Sequence, residues 1–133
     1  MGVLIYLNRA PTIWFSKKQN SVETASFGSK FTALKIGVEL INGLRYKLRM
    51  MGVPIDGHAH VRADNMSVIH NTTAPESTLK KKSNAIAYHY VRENVAADVC
   101  RIAYESSATN LADILTKTQS GPEQKRLAQM ILL

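Results

Sequence analysis

Six apolar residues, Phe27, Phe31, Leu34, Val38, Ile41 and Leu48, recur at spacings of four, three, four, three and seven. Those spacings fall on one face of a helix with 3.6 residues per turn, and an alternating strand does not reproduce them. The predicted helix begins within SVETASFGSKF and ends near MMGVP, where Gly52 and Pro54 stop it. A helix with one apolar stripe has to bury that stripe against another layer.

The rest of the sequence supplies the layer as strands. GVLIYLN and TIWFSKKQ, separated by RAP, are rich in branched and aromatic residues and read as a hairpin punctuated by Pro11. AHVRAD reads as a third strand and VCRIAYES as a fourth, with Val99, Arg101 and Ala103 on one face and Cys100, Ile102 and Tyr104 on the other. Between these two lie a short helical piece, NMSVIHNT, a polar loop around Pro75, and a second amphipathic helix, STLKKKSNAIAYHYVRENVAAD. NLADILTK opens a third helix with Asn110 as its N-cap, and after SGP a terminal helix, EQKRLAQMILL, packs on the body. The order predicts an α/β fold, a mixed sheet with helices on its faces, and 133 residues suit one domain with a real core. There is no internal repeat or low-complexity tract.

Charge narrows the partners. Seventeen basic residues against ten acidic give a formal charge of +7, which suits a polyanion, nucleic acid first and an anionic membrane second. The lone Cys100 has no partner for an internal disulfide. The opening MGVLIYLNRAPTIWF lacks the charged leader and cleavage site of a signal peptide, and no apolar run approaches a membrane span. Tyr6 stands where a myristoylation signal wants Ser or Thr. The sequons at Asn65 and Asn71 then read as chance matches, and the expectation is an intracellular protein with no membrane partner.

Two acids are candidates for chemistry. Ligands of such sheets sit where strands end and helices begin. Asp64 lies at the end of the third strand, and Asp113 in the first turn of the helix after the fourth. Hard oxygen ligands in that position suit Mg²⁺ and phosphoryl chemistry. Spacing alone leaves a second reading of Asp113 open, as an exposed acid favoured by the helix dipole.

WFSKKQNSVETASFGSKFTALK, GLRYKLRMMGVP, ADNMSVIHNT, SNAIAYHYVRE and TNLADILTK together resemble the C-terminal ribonuclease H region of copia-type LTR retrotransposon polyproteins. The resemblance runs from about Gly2 to Lys117, and its most specific parts are the DN after a strand, the YHYVRE helix and the NLADILTK close. It implies an RNase H-like mixed sheet with helices on both faces over residues 1–120, followed by a C-terminal helix or tail over 121–133. It also implies cleavage of the RNA strand of RNA–DNA hybrids during reverse transcription, by four carboxylates and two Mg²⁺ ions. Cytoplasm or nucleus is the implied location, with a virus-like particle in the family.

On this resemblance Asp64 matches the acid of the DN motif, and Asp113 the acid of the closing LAD-x-x-TK motif. Both are then metal ligands and catalytic carboxylates. The family's long helix carries a Glu where FGSKF has Lys30. Glu23 does not replace it, because seven helical residues span about 10.5 Å and a Mg²⁺ ligand must come within about 2.0–2.1 Å. An ammonium at Lys30 repels the metal, or takes its place and binds phosphate itself.

The family's first Asp lies on a strand upstream of the segment that resembles GVLIYLNRAP, between the strands expected at 2–8 and 59–64. The expectation is therefore a sheet without its central strand, with two interior edges open to self-association. With two of four carboxylates gone, the implied copy is inactive, and Mg²⁺ is not bound productively. Two other readings are a non-catalytic basic nucleic-acid-binding module and a structural remnant that pairs through its edges.

Lys80, Lys81 and Lys82, with His89 of YHYVRE, are candidate substrate contacts, although a solvated helix face and a structural histidine explain them as well. DGHAH, residues 56–60, holds an H-x-H pair, but the amidohydrolase barrel that uses it needs about 250 residues. Trp14 reads as core rather than as a base-stacking platform.

Overall fold

The computed structural model describes residues 1–18, 26–74 and 85–132. Its first element is a hairpin of β1 (Gly2–Leu7) and β2 (Ala10–Ser16), antiparallel, with Leu4 opposite Trp14 and Ile5 opposite Ile13. The turn falls at Asn8–Arg9, earlier than the expected RAP, and Asn8 takes a φ of 57°, which asparagine tolerates better than most residues. Pro11 belongs to β2, opposite Tyr6, where the register shifts. A residue without an N–H fits such an irregularity on an edge strand.

The stripe that opened the sequence reading forms α1 (Ser26–Met50), with Phe31, Leu34, Val38 and Leu48 buried and Ile41 half-buried. Gly52, at φ 78°, ends the helix. The Val53 N–H donates to Leu48 O and the Gly52 N–H to Arg49 O, both at 3.0 Å, which is the Schellman closure of a helix C-terminus.

β3 (Ala59–Ala63) pairs parallel with β4 (Cys100–Tyr104), Ala59 opposite Cys100 and Ala63 opposite Tyr104. Parallel neighbours require a crossover, and α2 (Met66–Thr73) and α3 (Ala85–Ala96) lie within it. The core gathers Phe31, Leu34 and Val38 of α1, Val68 of α2, Tyr88 and Val91 of α3, and Cys100 of β4. Arg92 donates to the carbonyls of Asn71 and Ala74 at 2.9 and 2.8 Å, tying α3 to the end of α2. The terminal helix, α4 (Gly121–Leu132), buries Leu127, and Arg126 donates to Ala108 O at 2.8 Å.

Two expectations change. The described strands form two separate two-stranded sheets rather than one mixed sheet, and β1 and β3 are not hydrogen-bonded to each other. NLADILTK does not open an α-helix: residues Leu111–Leu115 form a single 3₁₀ turn. Five residues are too few to offset the cost of nucleating an α-helix, and short i→i+3 bonds, such as Thr116 N–H to Asp113 O at 3.1 Å, satisfy the backbone instead.

Candidate functional site

Asp64 follows β3 directly, and the next residue, Asn65, is the N-cap of α2. Asn65 makes that turn possible, because its Oδ1 accepts the Val68 N–H at 3.1 Å and caps α2. The strand therefore stops abruptly and leaves the Asp64 carboxylate at its C-terminal end. Asp113 is set in a similar way. Asn110 caps the 3₁₀ turn through its Oδ1, which accepts from the Ala112 N–H at 3.2 Å, and Asp113 in the middle of the turn is 8% exposed.

Each carboxylate has its own ammonium. Lys30 Nζ, from α1, donates to Asp64 Oδ1 at 2.9 Å. Lys117 Nζ donates to Asp113 Oδ2 at 2.7 Å from four residues along the chain. The Lys117 pKa is raised, chiefly by that hydrogen bond; partial burial opposes the shift, and the charges of Asp113 and Asp64 add to it. The charge of Asp64 is thus within electrostatic reach of Lys117.

This donor set does not suit a pair of Mg²⁺ ions. Magnesium takes a near-octahedral shell of hard oxygens at about 2.0–2.1 Å. Here each acid already has an ammonium within hydrogen-bonding distance, and no group of three His, Cys, Asp or Glu side chains gathers among the described residues. The cluster sums to zero, two negative charges against two positive ones. It can orient or admit a phosphate, but an ammonium does not supply the acidified water that a bound metal ion does.

The other candidates lie elsewhere. His89 is exposed on α3, with its ring edge-on to Tyr88 at 5.1 Å. Lys80, Lys81, Lys82 and Glu23 fall outside the described residues. His58 and His60 meet edge to face at 4.9 Å, and His58 Nδ1 lies 3.6 Å from Asp98 across the mouth of the parallel pair. Trp14 corrects the sequence reading: it is 67% exposed. Its hairpin has two strands, and no element of the described chain covers the outer face at that point. Lys117 was missed as a site residue, although its spacing of four from Asp113 is a legible pairing signal.

No protein-family model matches the chain, and no solved structure matches it. Two curated proteins of Arabidopsis thaliana are similar to it. The retrovirus-related Pol polyprotein from transposon RE2 is 26% identical over 119 residues, 90% of this chain and 8% of the relative. The retrovirus-related Pol polyprotein from transposon RE1 is 26% identical over 130 residues, 98% of this chain and 9% of the relative. The chain thus spans less than a tenth of the length of the curated relatives it matches. The similarity supports a domain derived from a retrotransposon polyprotein. Among the described residues, no helix is long and apolar enough to cross a membrane.

Proposed function

We propose that this chain is the ribonuclease H-like part of a copia-type retrotransposon polyprotein, in a form that engages nucleic acid without cleaving it. The observation that carries the reading is the 2.9 Å contact between Lys30 and Asp64. A cleaving site of this class needs its acids free to take divalent cations. With Lys30 in place, the positive charge beside Asp64 comes from a side chain, which attracts phosphate but generates no nucleophile. The surplus of seven positive charges over the whole chain draws polyanions toward the protein.

The test is hydrolysis of a labelled RNA–DNA hybrid in Mg²⁺ buffer, with Asp64→Asn as control. The expected result is no cleavage above that control. Cleavage by the parent that Asp64→Asn abolishes would overturn the proposal.

The separation of the two sheets favours a second reading. β1 and β3 each have one strand neighbour among the described residues. Strands with an open side pair readily with another chain. On this reading the domain associates with itself, or with a longer polyprotein, through those edges.

A further inference from the structure

Trp14 is the one tryptophan of the chain, and its place on the hairpin is unusual for so large an apolar side chain. Side chains alternate along a strand, so Trp14 shares a face of β2 with Ser16, and the opposite residues Leu4 and Gly2 belong to that face too. The 3₁₀ turn docks on this same face. Ser16 Oγ donates to Leu115 O at 2.7 Å, and a Cβ on Gly2 would lie 2.6 Å from Thr116 Cγ2. The turn covers the Gly2–Ser16 end and leaves Trp14 bare, about 7 Å further along the strand at roughly 3.4 Å per residue. One surface therefore runs from the indole, across Leu115 and Thr116, to Lys117 and Asp113.

Its charge identifies the occupant. Residues 1–18 contain Arg9, Lys17 and Lys18 and no Asp or Glu. All three cations are exposed, and none forms an ion pair among the described residues. Arg9 lies at the turn end of the hairpin, and Lys17 and Lys18 lie beyond its other end. Asp113, at the far side of the surface, carries its own lysine, so its carboxylate does not stand unpaired against a phosphodiester. An apolar protein partner explains a bare indole, but not an acid-free frame of cations around it.

We propose that Trp14 is a stacking platform for a base of single-stranded nucleic acid, with Arg9, Lys17 and Lys18 holding backbone phosphates on either side. Stacking on an exposed ring needs a base face that is not already stacked on a neighbour, which a single strand offers and a duplex interior does not. This rests on the reading that the domain engages nucleic acid, and it names the contact. Three phosphate contacts give a salt dependence of about −2 in log K against log salt on a single strand.

Because no other tryptophan is present, the intrinsic emission of the protein reports on this position alone. The experiment titrates the full chain with oligothymidylate at low salt and follows tryptophan emission, while the anisotropy of a labelled oligothymidylate measures binding independently. Quenching that tracks the anisotropy, with Trp14→Ala weakening binding roughly five- to hundredfold and Trp14→Phe retaining most of it, is the expected result. Binding by anisotropy without quenching, and with Trp14→Ala equal to the parent, overturns the platform and leaves the wider reading standing. No binding of oligothymidylate by anisotropy at low salt also overturns the platform, and no binding of a labelled RNA–DNA hybrid in the same assay overturns the wider reading with it.

Discussion

Lys30 and Lys117 neutralise their carboxylates over different reaches. Lys117 lies four residues from Asp113 and closes a local turn, whereas Lys30 lies 34 residues before Asp64 and fastens α1 to the end of β3. For Lys117 the folded pKa stands above the usual lysine value of about 10.4. Its contribution to stability is therefore complete below that value and is lost only as pH rises through the raised one. Lys30→Glu would set a third carboxylate beside Asp64 with no cation to offset it. Without divalent metal, the variant should melt roughly 3–8 °C below the parent, and millimolar MgCl₂ should restore part of the difference. The parent should be indifferent to MgCl₂. A variant that melts alike with and without Mg²⁺ would mean that the three acids do not converge.

Among the elements, the docking of the 3₁₀ turn on the hairpin depends on Gly2. A Cβ at Gly2 would meet Thr116 Cγ2 at 2.6 Å, Leu115 Cβ at 2.9 Å and Ala112 O at 3.0 Å. Thr116 can rotate away, but the other two atoms are fixed to the turn. Gly2→Val should displace the turn, break the Ser16–Leu115 bond and cost about 1–3 kcal/mol in urea unfolding. Unchanged stability would show that the turn does not rest there. Elements of this kind differ in how well sequence announces them. The long stripe and the Gly52 stop made α1 legible, since both are local signals repeated over many residues. Five residues do not separate a 3₁₀ turn from an α-helix, because both place the same side chains on one face. The acids at the element ends were legible as motif positions. The pairing of Lys30 with Asp64 was not, for it depends on how a helix lies over a strand far away in sequence. Trp14 failed for a related reason: size and apolarity argue for burial, but burial needs a second layer, and no local pattern says whether one exists.

Taken together, the four described strands divide into two sheets around a core that lies mainly with the parallel pair. If the open sides of β1 and β3 pair between chains, the mass measured by light scattering should rise from monomer toward dimer as concentration increases. A constant monomer mass over that range would remove it. The Ser16–Leu115 hydrogen bond has a further consequence, in time rather than in space. Its partners lie 99 residues apart. A ribosome adding roughly 5–20 residues per second delivers the acceptor some 5–20 s after the donor. The hairpin, which closes through a two-residue turn within microseconds, thus waits on the nascent chain with its Gly2–Ser16 surface bare until the turn that covers it has been made.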